Sequence, residues 1–241
     1  MDSLVFVHGY LGGGAQWADQ AAAFADRFQV LTPDLPGFGD RNASTAPERI
    51  EDYATSLLEE TSGLGVTRFH LVGHSMGGMI AQEMVRLAPE RVDRLVLYGT
   101  GPVGSLPGRF EPIAESKRRA VEDGVEATGR RIAATWFAEG VRAKGFVVCA
   151  QLAAKASQQA MLAGLTAMDT WSGLTRLAHI NSGTLVLWGD GDRTYPWEQP
   201  ERLWKEIPNS LLAVVPGCAH AVHLEKPGLF NAILLDFLGA G

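Results

Sequence analysis

The sequence predicts an α/β fold, in which a mostly parallel sheet has helices on both faces and a helical insertion covers one edge as a lid. Two observations carry this prediction. Short apolar strands alternate with helical segments over residues 3–98 and again over residues 184–238, which is the order of a parallel sheet covered on both faces. Between these two parts, residues 105–178 contain several helical patterns and no convincing strand.

The predicted strands are short and rich in β-branched or other apolar residues, as buried parallel strands are. They lie at 3–7, 28–32, 68–72, 92–98, 184–188 and 211–215. The alternating helices have an apolar stripe or a clear stop signal, such as Pro89 after the predicted helix at 76–88. The helices lie at about 15–28, 47–62, 76–88, 198–206 and 227–238, with further helical segments at about 110–123, 125–138, 140–154 and 156–168.

This order predicts one core built from residues 1–104 and 179–241, with the lid insertion at 105–178. Leu106, Pro107 and Gly108 introduce the insertion. It holds 10 Lys and Arg against 7 Asp and Glu, whereas the rest of the chain is acidic. We interpret the small basic excess as a solvated face of the insertion.

Composition and charge exclude several classes of protein. The net charge of −6 gives no reason to expect a nucleic-acid partner. No apolar run reaches the roughly 18 residues that span a bilayer, and Asp2 stands where a signal peptide would be basic. Two cysteines, Cys149 and Cys218, form no disulfide framework. No set of residues has metal-ligand spacing, so we expect a cytoplasmic protein without a metal or cofactor.

The stretch Gly73-His74-Ser75-Met76-Gly77-Gly78 organises the chain. It connects the strand at 68–72 with the helix that follows it, so Ser75 lies where a strand turns sharply into a helix. Such a turn lifts the serine hydroxyl clear of the sheet, and small residues two places before and after it are needed to avoid clashes. We therefore interpret Ser75 as a nucleophile, with the N-terminus of the next helix favouring negative charge beside it.

Two further strand ends carry the partners that a serine nucleophile needs. A serine hydroxyl is activated by a base within hydrogen-bonding reach and by a carboxylate that orients the base. Asp192 follows the strand at 184–188 and His220 follows the strand at 211–215, and such strand ends meet at one edge of a parallel sheet. Asp190 and His223 are rival candidates for the same two positions.

With these motifs in place, the chain resembles the α/β-hydrolase family, and within it the lidded serine esterase and lipase-like group. The matching features are the His8-Gly9 turn, Asp34-x-Pro36-Gly37-x-Gly39, the nucleophile motif, Gly189-x-x-Asp192-x-x-x-Pro196, and His220 with Glu225 and Pro227. The resemblance favours Asp192 over Asp190, which would tie its loop to backbone N–H groups, and His220 over His223. One departure is that the family usually has two more strands before the one at 3–7, so the sheet is expected to be short at that edge.

The resemblance also implies an oxyanion hole made by the backbone N–H groups of Met76 and Tyr10. The residues by themselves do not separate Tyr10 from Leu11. The insertion supplies large apolar side chains, of which a subset should line an acyl or alcohol pocket over Ser75. The candidate substrate-binding residues are Trp136, Phe137, Met161 and Trp171.

The predicted activity is hydrolysis of a small carboxylic ester or lactone by Ser75, His220 and Asp192. Three alternatives remain open. Hydrolases that cleave C–C bonds of ring-cleavage diketones resemble this chain but usually have Asn and Trp where it has His74 and Ala221. A lyase of menaquinone synthesis typically has Arg where this chain has Met79. Some non-enzymatic ligand receptors on the same fold keep a complete triad.

Overall fold

A computed structural model describes residues 1–105 and 108–239 of the chain. Its centre is one sheet of six strands, in the order β2-β1-β3-β4-β5-β6, and every neighbouring pair is parallel. The strands are β1 (Asp2–Val7), β2 (Phe28–Leu31), β3 (Phe69–His74), β4 (Val92–Tyr98), β5 (Gly183–Gly189) and β6 (Leu211–Val215). The predicted α/β class is confirmed, and the sheet, which was expected to be mostly parallel, is parallel throughout. The role of the insertion as a lid stays a prediction.

Helices cover both faces of the sheet. The helices are α1 (Ala18–Phe24), α2 (Ile50–Gly63), α3 (Met76–Leu87), α4 (Ile113–Glu122), α5 (Val125–Ala134), α6 (Phe146–Lys155), α7 (Gln158–Thr170), α8 (Glu198–Glu206), α9 (Val222–Glu225) and α10 (Pro227–Gly239). No helix of the described residues is long and apolar enough to cross a bilayer.

Alternate residues of the strands feed two separate hydrophobic cores. Val5 and Val7 of β1 pack with α2 and α3 in one core, and Leu4 and Phe6 of the same strand pack with α1 and α10 in the other. This division follows from the two-residue period of a strand, which sends successive side chains to opposite faces. Burying each large apolar side chain contributes about 1.5–3 kcal/mol, so both cores stabilise the packing of the helices on the sheet.

Several predicted helix boundaries are wrong, and at two of them a tight 3-10 turn precedes the helix. The helix expected at 15–28 begins at Ala18, after a tight 3-10 turn at Gly14–Trp17. Gly14 packs directly on the carbonyl of Thr32, so the chain turns here before the helix can start. The segment expected at 140–154 starts with a 3-10 turn at Gly140–Arg142 and becomes an α-helix only at Phe146, because Ala143 between them is extended, with φ −64° and ψ 140°.

The connection between β4 and β5 contains α4 to α7. Its two arms meet at a narrow base, where Val103 pairs with Ser172 and the Gly173 N–H donates to the Pro102 carbonyl (2.8 Å). The predicted start of the insertion lies close to this base, although Leu106 and Pro107, which were expected to introduce it, lie outside the described residues.

Candidate active site

Ser75 occupies a strained turn between β3 and α3. Its backbone has φ 57° and ψ −121°, a region that non-glycine residues rarely adopt. Strain of this kind persists only where the surroundings hold it, and it is common at functional sites. Ser75 directly precedes the first helical residue, Met76, and its N–H donates to the Tyr98 carbonyl (3.0 Å). The turn therefore presents the Ser75 side chain at the carboxyl edge of the sheet.

The glycines around Ser75 are required by close backbone contacts. A Cβ on Gly73 would collide with the carbonyl of Gly77, and a Cβ on Gly77 would collide with the carbonyls of Val7 and His8. Gly9 approaches from the next loop, where a Cβ would lie 2.8 Å from the Cβ of Ser75. These contacts let β1, β3 and α3 converge on one serine.

His220 and Asp192 form a buried pair at the same edge. The Nδ1 atom of His220 lies 2.8 Å from Oδ2 of Asp192, and both side chains are almost fully inaccessible to solvent. Oδ1 of Asp192 accepts the backbone N–H groups of Thr194 (2.7 Å) and Tyr195 (3.1 Å). Because an ionised carboxylate only accepts hydrogen bonds, Nδ1 of His220 carries the proton, which leaves Nε2 as the basic nitrogen.

The loop that carries His220 is held from several sides. Oε2 of Glu225 accepts the Ala219 N–H and Oε1 accepts the Ala138 N–H, both at 2.7 Å. The Ala221 N–H donates to the carbonyl of Trp136 (2.9 Å). Glu225 thus connects the His220 loop with the connection between β4 and β5, which gives a physical role to the spacing from His220 to Glu225.

The two rival residues occupy other places. Oδ1 of Asp190 accepts the N–H of Gly217 (2.7 Å) at the surface, away from His220. His223 is completely buried on α9, where its ring packs on Trp17 with 4.3 Å between ring centroids. His223 packs against the core that contains α1 and α10. The preference for His220 over His223 stays a prediction.

The backbone N–H groups proposed for the oxyanion hole are unpaired. Met76 is the first residue of α3, and the N–H at that position has no partner within its own helix. Neither Met76 nor Tyr10 donates its N–H to another described residue. The same holds for Leu11, so the choice between Tyr10 and Leu11 stays a prediction.

His8 braces the turn that carries Tyr10. Its Nε2 accepts the N–H of Leu35 (2.9 Å), so its Nδ1 bears the proton and donates to the Gly9 carbonyl (2.8 Å). Burial lowers the pKa of His8 below its ordinary value, which keeps the ring neutral in this role. Asp34 holds the neighbouring loop by accepting the N–H groups of Gly14 (2.7 Å) and Asp40 (2.9 Å).

A narrow cavity of about 20 Å³ lies beside Ser75. Such a volume holds about one water molecule. The connection between β4 and β5 supplies most of the apolar side chains that enclose it. The lining residues are Tyr10, Ser75, Gly104, Arg109, Phe110, Ile113, Ile132, Trp136, Met168, Thr194 and Tyr195.

Of the four candidate substrate-binding residues, only Trp136 lines this cavity, and its ring centroid lies 6.4 Å from that of His220. Phe137 packs in the core of the connection, beside Gly145. Met161 is buried, with its carbonyl accepting the Tyr10 hydroxyl (3.0 Å). The indole N–H of Trp171 donates to the buried carboxylate of Glu83 (2.8 Å). The expectation that Phe137, Met161 and Trp171 line the pocket is therefore corrected, because packing and hydrogen bonds hold them elsewhere.

Tyr195 is a site residue that sequence reasoning missed. Its ring stacks on that of His220, with an interplanar angle of 12°, and its hydroxyl interacts with the side chains of Ser75 and Thr100. Burial raises the pKa of Tyr195 to about 12, so the phenol stays protonated near neutral pH. Its position, three residues after Asp192, was the sequence feature that could have placed Tyr195 in the site. No sequence feature indicated that Arg109, a cation, lines the cavity.

A buried polar cluster lies beneath His220. The Tyr98 hydroxyl donates to the His220 carbonyl (2.8 Å), so it must accept Nδ1–H of His223 (3.1 Å). Nε2 of His223 is buried without a hydrogen-bond partner among the described residues, and burial lowers the pKa of His223 to about 3. The ring of His74 lies against that of His220, with 4.4 Å between the ring centroids. Burial is the main reason why the pKa of His74 is well below its ordinary value.

This cluster predicts a loss of stability in acid. Between pH 6.5 and about 3, the unfolded chain binds a proton at His223 that the folded protein does not bind. The free energy of unfolding should therefore fall as pH drops below 6.5, by about 1.4 kcal/mol per pH unit for each such histidine. Urea unfolding at pH 7.5, 6 and 5 measures the slope. His223→Asn, which keeps an N–H donor for Tyr98, should flatten it, whereas His179→Asn at an exposed position should not. An unchanged slope in His223→Asn would contradict this account.

Known proteins resemble the chain over almost its whole length. Residues 2–227 match the family model of the α/β-hydrolase fold. The chain is 28% identical over 266 residues to a 2-hydroxy-6-oxo-6-phenylhexa-2,4-dienoate hydrolase of Burkholderia cepacia, with 100% of this chain and 88% of that protein covered. It is 31% identical over 237 residues to a protein of Azorhizobium caulinodans described as a carbamate hydrolase, covering 95% and 88%. The enol-lactonase structure from Burkholderia xenovorans has the same fold, with a TM-score of 0.90 at 21% identity over 99% of this chain and 92% of that one.

Proposed function

Since this chain belongs to the α/β-hydrolase family and is a hydrolase, we propose that it cleaves carboxylic esters, including lactones, through an acyl-enzyme on Ser75. The substrate is a small molecule. The observation that carries the proposal is the buried His220–Asp192 pair at 2.8 Å, at the sheet edge where Ser75 occupies its strained turn.

The proposed reaction has two steps, acylation of Ser75 and hydrolysis of the acyl-enzyme. The Ser75 oxygen attacks the ester carbonyl carbon while its proton passes to Nε2 of His220, and the C–O bond then breaks as the alkoxide takes that proton. Water next attacks the acyl-enzyme, gives a proton to His220, and releases the acid as Ser75 recovers its hydrogen. The unpaired N–H groups of Met76 and Tyr10 are proposed to stabilise the oxyanion of each tetrahedral intermediate.

The connection between β4 and β5 is proposed to act as a lid. Its side chains enclose a cavity that holds about one water molecule, so a substrate of several carbon atoms requires them to move. The narrow base at Val103 and Ser172 is the proposed hinge. We also propose a cytoplasmic location, which the two free, buried thiols of Cys149 and Cys218 support.

Hydrolysis of a C–C bond is the second candidate, and the identity to the dienoate hydrolase favours it. The two positions beside the triad weigh against it. His74 is buried against the His220 carbonyl (3.0 Å), and Ala221 brings no ring into the site. Neither lines the cavity, so neither can hold a dienolate and help move a proton onto carbon. An ester needs no such group, because its alkoxide takes the proton from His220 directly.

Parallel assays of one preparation test the choice. We expect measurable turnover of a short or medium-chain p-nitrophenyl ester and little cleavage of a ring-fission dienoate diketone, with lactones and a carbamate assayed beside them. If the diketone is turned over far faster than every ester, lactone and carbamate, the second candidate replaces the first.

A further inference from the structure

Arg109 brings a cation to the cavity that contains Ser75. The side chain is partly buried and lines the cavity together with Tyr10 and Tyr195. Removal from water lowers the pKa of the guanidinium from its ordinary value, yet an arginine keeps its charge in a protein. A cation in such a place is costly unless an anion or several acceptors compensate it.

The protein compensates Arg109 only in part. Its Nη1 donates to the carbonyl of Glu111 (2.7 Å) and, at 3.4 Å, to the Ser116 hydroxyl, and its guanidinium lies over the ring of Phe110. Arg109 forms no ion pair with a carboxylate in the described part of the chain. Nε and Nη2 have no hydrogen-bond partner there either, which leaves three of the five N–H donors of the fork unused.

The nearest carboxylate is already committed to other arginines. Glu111 accepts hydrogen bonds from Arg131 at 2.7 and 3.2 Å, and Nε of Arg119 lies 3.3 Å from its Oε2. The Glu111 carboxylate thus pairs with two other arginines, whereas Arg109 contacts Glu111 only at its backbone carbonyl.

Tyr195 and Tyr10 line the same cavity, but both of their hydroxyl groups are already engaged. The Tyr195 phenol, which stays protonated near neutral pH, interacts with the side chain of Ser75. The Tyr10 hydroxyl donates to the Met161 carbonyl (3.0 Å). The unused N–H donors of Arg109 are therefore the groups that a carboxylate in the cavity would meet, and charge-assisted hydrogen bonds from such a fork are strong.

We propose that Arg109 forms an anion subsite, so that the substrates of this hydrolase are esters or lactones that carry a carboxylate. This inference rests on the proposed function, because it places the carboxylate on a molecule whose ester group reacts at Ser75.

Matched pairs of esters test the subsite. Monoethyl glutarate and ethyl pentanoate have acyl chains of equal length and differ in the terminal carboxylate. Acetoxyacetate and ethyl acetate place the same difference on the alcohol side. We expect wild type to prefer the anionic ester in at least one pair by about tenfold or more in kcat/KM. Absence of any preference in both pairs would overturn the proposal.

Substitution of Arg109 then locates the preference. In Arg109→Gln, the ratio of kcat/KM between the preferred anionic ester and its neutral partner should fall roughly 10- to 100-fold, as loss of hydrogen bonds to a charged group predicts. Arg109→Lys keeps the charge without the fork and should keep part of the ratio, and it also serves if Arg109→Gln fails to fold. Arg119→Gln removes a neighbouring cation that does not line the cavity, and its ratio should match wild type. An equal loss on both esters, or the same fall in Arg119→Gln, would contradict the subsite.

A binding measurement separates failure of the subsite from failure of the proposed function. If wild type hydrolyses no ester at all, the proposed function fails, and titration calorimetry of glutarate into Ser75→Ala decides the subsite by itself. Glutarate should bind at least tenfold more weakly after Arg109→Gln is added, and neutral pentanamide should not distinguish the two proteins. Equal binding of glutarate to both would overturn the anion subsite.

Discussion

Replacing Ser75 with alanine is expected to lower ester turnover by about 10⁴- to 10⁶-fold, because the nucleophile and its base act as a unit. Stability should change little. Alanine keeps the Cβ that already tolerates φ 57°, and the backbone bond from residue 75 to the Tyr98 carbonyl stays in place. Steady-state rates with a p-nitrophenyl ester and thermal unfolding of both proteins measure the two effects.

Covalent labelling gives an independent check of the same residue. A serine-directed phosphonate should modify the peptide that carries Ser75 in wild type and should leave Ser75→Ala unmodified. Ser44→Ala, at an exposed position, is the matched control and should react like wild type. Labelling at another serine, or an alanine variant that retains its activity, would remove Ser75 from the mechanism.

Asp192→Asn is expected to cost on the order of 10⁴ in kcat, as the wrong histidine tautomer does in other triads. All three partners of the Asp192 carboxylate are donors: Nδ1–H of His220 and the N–H groups of Thr194 and Tyr195. The asparagine oxygen should keep the two backbone donors, which turns its NH₂ group towards Nδ1 of His220. Nδ1 must then accept, the proton moves to Nε2, and the nitrogen that should take the Ser75 proton is no longer basic.

Asp190→Asn is the matched control, because it makes the same chemical change two residues away. The asparagine oxygen can still accept the Gly217 N–H, so activity and stability should stay close to wild type. Rates of both variants across pH 6–9 measure the difference. A larger loss in Asp190→Asn than in Asp192→Asn would show that the orienting carboxylate has been assigned to the wrong residue.

The strands and their ends were predictable because their signals are local. A buried parallel strand is a short apolar run, and the residues that follow it, such as Ser75 after β3 or Asp192 after β5, are close to it in the chain. Helix boundaries were harder, since Gly140 and Gly145 could be tolerated in a helix or end it. Their backbone conformation depends on packing that no short window contains.

The sequence by itself determined the α/β class and the order of the strands, because short apolar runs alternate with helical patterns. It also gave Ser75 and the rival pairs Asp190 or Asp192 and His220 or His223 beside strand ends, and the family resemblance favoured Asp192 and His220. Only the tertiary structure decided which side chains meet over Ser75. Phe137, Met161 and Trp171 are as apolar as Trp136, yet they pack or form hydrogen bonds outside the cavity beside Ser75. Arg109 lines that cavity while it donates hydrogen bonds to Glu111 and Ser116. The physical reason is that a pocket is enclosed by segments far apart in the chain, so its lining is set by how they pack and not by the character of any one of them.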